Sequence, residues 1–305
     1  MENPSPETHF SKTAVTAVPA PPMAARPLAP TLAADGVPIG DVNTLGIVSA
    51  DAAARIKAAA GMVPGAIAAK PAAAATLDRP GSERWPVKTG QDPDRAKVGK
   101  NIVNGANLGA GIVEATLEEL IGLPRPPGME IPTQDPPEFT SVRNGVAEVT
   151  IWRIVAKIIA LKHEADGDYH LVLQGNSGQQ MVAEIPTPSD VFVGDSPWLD
   201  NIGQARSEVD DKLVRHLSPA NFQLMNGKLA PQGVSMAALL QNPAPTISFV
   251  TPPPGSGFVQ PLFQSAITPT LARITGVGFF DRAHGATGAA PNVIELHPAL
   301  KIEWM

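Results

Sequence analysis

The sequence predicts a mainly β protein: one small barrel of five strands with a helix between strands 3 and 4, preceded by a disordered N-terminal arm. Three observations predict it. Residues 146–188 hold three apolar runs rich in Val and Ile, broken at the turn signals DGD and GNSG, as in a three-strand meander. Residues 196–217 place apolar side chains at helical spacing. Residues 270–304 hold two more apolar runs joined by a Gly-rich loop.

The arm comes first. Residues 1–80 are rich in Ala and Pro with few large side chains, so little surface can be buried to offset the entropy of ordering them. IVSADAAARIKAAAGM (47–62) has helix propensity but no evident docking partner. Residues 83–123 read as a short docking segment. ERWPVKTGQD is taken as extended and anchored by Trp85, and a helix spans 116–122, where Thr116 and Glu119 make a capping box. Residues 124–141 form a proline-rich connector.

The body spans 142–305. VAEVTIWRIVAKIIALK, DYHLVLQ and QQMVAEIPTP are its first three strands. Ser196 and Pro197 open the helix, whose buried face is Trp198, Ile202, Ala205, Val209, Leu213 and Leu217. An irregular insertion, 218–270, holds one short apolar run at 246–250. TLARITGVGFFD and NVIELHPALKIEW close the chain; in the latter, Glu295 and His297 face away from Ile294 and Leu296.

Composition narrows the function classes. The chain has no cysteine, which removes disulfides and thiolate metal sites. It has no apolar run of the roughly 18 residues that a membrane span needs, and its first 30 residues lack the pattern of a secretory signal. The net charge is −6, and from Gly145 onward acids outnumber bases. That balance argues against nucleic acid as partner, because phosphate backbones are held mainly by Lys and Arg.

Three strands, a helix and two strands is the order of the OB-fold, a five-stranded Greek-key barrel. KHEADGDYHLVLQG, with the strand after it, resembles the opening of thermonuclease-like OB barrels. HGATGAAPNVIELHP resembles the last two strands of a group of bacterial OB-like proteins without established chemistry. The OB-like resemblance implies that the loops between strands 1 and 2 and between strands 4 and 5 flank one binding face. Asp166, Asp168 and His170 would then meet Asp281, His284, Glu295 and His297 at the barrel mouth. Converging carboxylates and imidazoles can hold a divalent cation or poise a general base near neutral pH. Each also has a plainer role, in a turn, a loop or a cross-strand polar network.

The sequence therefore reads as a binding or interaction module for an unknown ligand or protein partner rather than an enzyme. One alternative is a metal-dependent phosphodiesterase of thermonuclease-like type, in which Asp168 matches the second aspartate of DGD. That chemistry also needs arginines on the phosphate. QQMVAEIPTP has none, and only Arg273 and Arg282 lie near the later strands. The other alternative is single-stranded nucleic-acid binding, with Trp152, Tyr169, Phe279 and Phe280 as stacking platforms.

Overall fold

The computed structural model describes residues 39–61, 84–103, 106–130, 139–164, 166–188, 193–215, 222–225, 228–231, 247–250 and 262–305. Most of the arm, residues 131–138 of the connector and most of the insertion lie outside them, as do His216 and Leu217. Five strands close a barrel: β1 (Ile151–His163), β2 (Tyr169–Gln174), β3 (Gln180–Ile185), β4 (Leu262–Phe280) and β5 (Ile294–Trp304). Their order is β1-β2-β3-β5-β4, and β4 returns to pair with β1. All pairings are antiparallel except β3 with β5, where Val182 and Ala183 run parallel to Glu295 and Leu296. This is an OB-like Greek-key barrel.

Strand alternation sorts the side chains. Tyr169, Leu171 and Leu173 of β2, Met181, Ala183 and Ile185 of β3, and Ile294 and Leu296 of β5 enter the apolar core. His170, Glu184, Glu295 and His297 therefore point outward. β1 bends at a bulge between Ile158 and Ala160. β4 starts at Leu262, inside the stretch that reads as irregular insertion. Its Pro269 falls at a register shift between Ala266 and Thr270, where no ladder hydrogen bond is lost. Residues 247–250 do form a strand, paired with the start of β4.

Among the described residues, four α-helices of five residues or more pack around the barrel. The Ala-rich stretch forms α1 (Ala50–Gly61) and does find a docking site, burying Ile56, Ala59 and Ala60 and joining Lys57 to Glu119 at 2.9 Å. Small side chains let this helix approach closely, so one Ile suffices as an anchor. Trp85 is buried as expected, but its segment is a helical turn, α2 (Trp85–Thr89), and not an extended run. Pro86 suits a first helical turn. α3 (Leu117–Ile121) carries the full Thr116/Glu119 capping box. α4 (Leu199–Val209) buries Trp198, Ile202, Ala205 and Val209, then continues through a π-helical turn over 210–214. Ser196 does not cap it directly; its hydroxyl accepts the Trp198 N–H at 3.1 Å.

Two buried ion pairs fasten the α2 segment to the barrel. Arg84 grips Glu148 in bidentate fashion at 2.6 and 2.7 Å. Arg143 donates twice to Asp92 Oδ2, at 3.1 and 2.9 Å. Among the described residues no helix is long and apolar enough to cross a membrane.

Candidate functional site

The DGD bend supplies the first part of the site. Gly167 takes a positive φ of 95°. Asp166 Oδ1 accepts the Asp168 N–H at 3.1 Å, and the Glu164 N–H bonds the Asp168 carbonyl. This turn delivers the Asp168 side chain beneath the outer face, 1% exposed. β2 then places His170 directly opposite Glu184 on β3. β5, beside β3, adds Glu295 and His297. The loop after β4 adds Asp281, whose carboxylate meets the half-exposed His284 at 3.0 Å.

Asp168, His170, Asp281, Glu295 and His297 are thus buried together, with Asp166 at the edge and His284 outermost. His170, Glu295 and His297 project from the outer face of β2 and β5, and Asp166, Asp168, Asp281 and His284 reach them from the two loops. Strand alternation sets the outward direction of the three strand residues, since their neighbours fill the interior.

Two residues at the centre went unread in the sequence. Glu184 bridges the two histidines: Oε1 lies 2.9 Å from His170 Nδ1, and Oε2 lies 2.9 Å from His297 Nδ1. Lys88, from α2, roofs the cluster, with Nζ 3.7 Å from Asp281 and 4.0 Å from Glu184. The same ammonium stands 5.4 Å from the Phe279 ring centroid. A charge in the apolar run MVAEI was the available signal for Glu184. Nothing local announces Lys88.

Hydrogen bonding and burial together bias the protonation of each group. His170 Nε2 is 2.8 Å from the Thr287 carbonyl, which only accepts, so Nε2 carries a proton. Nδ1 faces the Glu184 carboxylate and carries the other. Burial works against this imidazolium, but Glu184 and Thr287 outweigh it and raise the His170 pKa. Burial likewise opposes ionised Glu184, yet Lys88 and the two imidazoles hold its pKa well below the usual carboxylate range. His297 goes the other way: burial is the largest influence and lowers its pKa. Burial and neighbouring carboxylates raise Asp168 and Glu295 well above normal, and burial first of all lifts Asp166 to about 6.

One contact in the cluster is incomplete. His297 donates Nδ1–H to Glu295 Oε1 at 3.2 Å, with Glu184 Oε2 2.9 Å from the same nitrogen, so Nε2 presents a lone pair. That lone pair lies 3.6 Å from Asp168 Oδ2, beyond hydrogen-bond range. Neither His297 Nε2 nor Asp168 Oδ1 has a hydrogen-bond partner among the described residues.

No protein-family model, curated protein or solved structure matches the chain. The site's chemistry is therefore carried by its own geometry. Beside the cluster lies a cavity of about 220 Å³ lined by Lys162, Glu164, His170, Val172, His284 and Thr287, among others. His170 belongs to both, joining cavity to cluster.

Proposed function

We propose that this OB-like barrel is a binding module whose ligand site is the acid–histidine cluster on its outer face, reached through the cavity beside it. The observation that carries this reading is the double placement of His170, which lines the cavity and is bonded to Glu184 at the centre of the cluster. OB barrels bind on the strand 2–3 face between the 1–2 and 4–5 loops, and the cavity lies between those loops. Its polar lining and modest size suit a small polar solute better than a broad protein surface.

The test uses the full chain stripped with EDTA and a panel of small carboxylates, amines and inorganic phosphate, followed by protein-observed NMR. At least one compound should shift the amides of Lys162, His170 and Thr287, and Lys162→Ala or His284→Ala should weaken it. If no compound in the panel perturbs these amides, or neither substitution matters, the reading is wrong.

A thermonuclease-like phosphodiesterase is the second reading, favoured by the position of Asp168, the second aspartate of DGD, inside the cluster. The basic side chains lining the cavity are Lys162, His170 and His284. No arginine is among the described lining residues to neutralise a phosphate, which makes binding the stronger of the two.

A further inference from the structure

Resting on that reading of the cluster as a ligand site, the geometry points to a divalent transition-metal ion as a resident ligand, held by Asp168 and His297 with Glu184 behind them. The other buried ion pairs set the contrast. Glu148 has both oxygens engaged by Arg84, and also accepts the Phe280 and Asn144 N–H groups at 3.0 and 2.6 Å. That network is complete and structural. Asp168 and His297 are as deeply buried, at 1% and 0% exposure, yet Oδ1 of one and Nε2 of the other lack hydrogen-bond partners among the described residues. Buried polar atoms are rarely left so without a missing ligand or water.

The spacing fits an ion. A tetrahedral ion holding nitrogen and oxygen at about 2.1 Å keeps them about 3.4 Å apart; His297 Nε2 and Asp168 Oδ2 are 3.6 Å apart. Glu295 Oε1 accepts the Nδ1 proton of His297 at 3.2 Å, with Glu184 Oε2 2.9 Å from the same nitrogen, which turns the Nε2 lone pair toward Asp168, the carboxylate–histidine–metal relation found behind metal-bound imidazoles. Donor atoms of Asp168, Glu184 and His297 all lie within 4.8 Å of one another, which keeps the supporting carboxylate beside the ligand pair. A mixed imidazole and carboxylate set favours Zn²⁺ or its first-row neighbours over Ca²⁺ or Mg²⁺.

Charge agrees with this. Five carboxyl groups crowd the site, those of Asp166, Asp168, Glu184, Asp281 and Glu295, and the Lys88 ammonium is directed at Asp281 and Glu184. The rival occupant is a proton shared between Asp168 and His297.

The experiment takes the full chain, strips it with EDTA, and adds ZnCl₂, MnCl₂ or CaCl₂. Bound metal after gel filtration is measured by mass spectrometry, alongside the thermal midpoint. Zn²⁺ should be retained near one ion per chain and raise the midpoint, with Ca²⁺ retained far less. Asp168→Asn and His297→Gln should each abolish retention, Glu184→Gln should weaken affinity about 10–100-fold, and Lys57→Ala on α1 should bind as the parent does. If the three substitutions prevent folding, the parent protein decides alone: the His297 Nε2 nitrogen resonance must move when Zn²⁺ is added. No retention and no midpoint shift with any of the three ions, an unmoved His297 resonance, or equal retention in Asp168→Asn and His297→Gln would each overturn the assignment. Because small-solute binding is measured on EDTA-stripped protein, loss of the metal leaves that reading standing, and the converse also holds.

Discussion

Replacing Glu148 with glutamine tests what fastens the roof over the cluster. Glu148 and Arg84 are 0% and 1% exposed, and their two bonds of 2.6 and 2.7 Å fix the guanidinium that opens α2. The Lys88 N–H bonds the Arg84 carbonyl at 3.0 Å, so the roofing ammonium hangs from the same turn. Glutamine keeps the shape of glutamate but turns one acceptor oxygen into an NH₂ group. That group would face donors on Arg84 and on either Phe280 or Asn144, and the buried guanidinium would lose its counter-charge. Breaking a buried pair from one side costs about 3–5 kcal/mol, or about 6–20 °C in thermal midpoint for a body of this size.

Urea unfolding of the full chain, followed by tryptophan fluorescence, measures the loss. Arg84→Met combined with Glu148→Leu removes both charges but leaves the Phe280 and Asn144 N–H groups without acceptors, at about 1–3 kcal/mol each. The double variant should therefore stay below the parent in stability, yet above the sum of its two single changes. A loss under about 1 kcal/mol for Glu148→Gln, or strict additivity in the double variant, would show that this pair does not hold α2 in place.

Two further outcomes are expected. Gly90 ends α2 at a φ of +72°, and a Cβ there would lie 2.2 Å from the Trp198 ring, so Gly90→Ala should destabilise by about 2–4 kcal/mol; an unchanged urea midpoint would contradict the packing described. Glu118 Oε1 accepts the Ser177 N–H at 2.9 Å, and the backbone bond to Ser177 outweighs the little burial there, lowering the Glu118 pKa from 4.5. Its support for the β2–β3 turn is complete above that value and lost as pH falls below it, so hydrogen exchange at Ser177 should quicken on acidification, beyond its intrinsic trend, in the parent but not in Glu118→Gln.

The barrel was legible because its strands announce themselves locally. Val and Ile runs between Gly-bearing turns set β1 to β3, and the apolar face of α4 follows from spacing alone. The start of β4 was hidden by Pro269, a strand breaker in general but tolerated at the bulge it occupies. α2 is one turn long, with Arg84 in the left-handed region before it, and so short a segment has no period to detect. Of the cluster, the two loop motifs were visible as motifs. Their placement on the outer face depends on strand register, which also brings in Glu184. Lys88 arrives through docking of a distant segment, a tertiary event with no local pattern.

The face on which OB barrels usually lay a polymer is here partly tiled by the chain's own α2. A nucleotide strand or an extended peptide running across β2, β3 and β5 would collide with that turn and with the Lys88 ammonium above Glu184. Displacing it would mean tearing out the Arg84 clasp. Among the described residues the open approach to the acids and imidazoles is from the side, past Lys162 and His284. On the binding-module reading, the fold would act as a size filter that admits monomers and turns chains away.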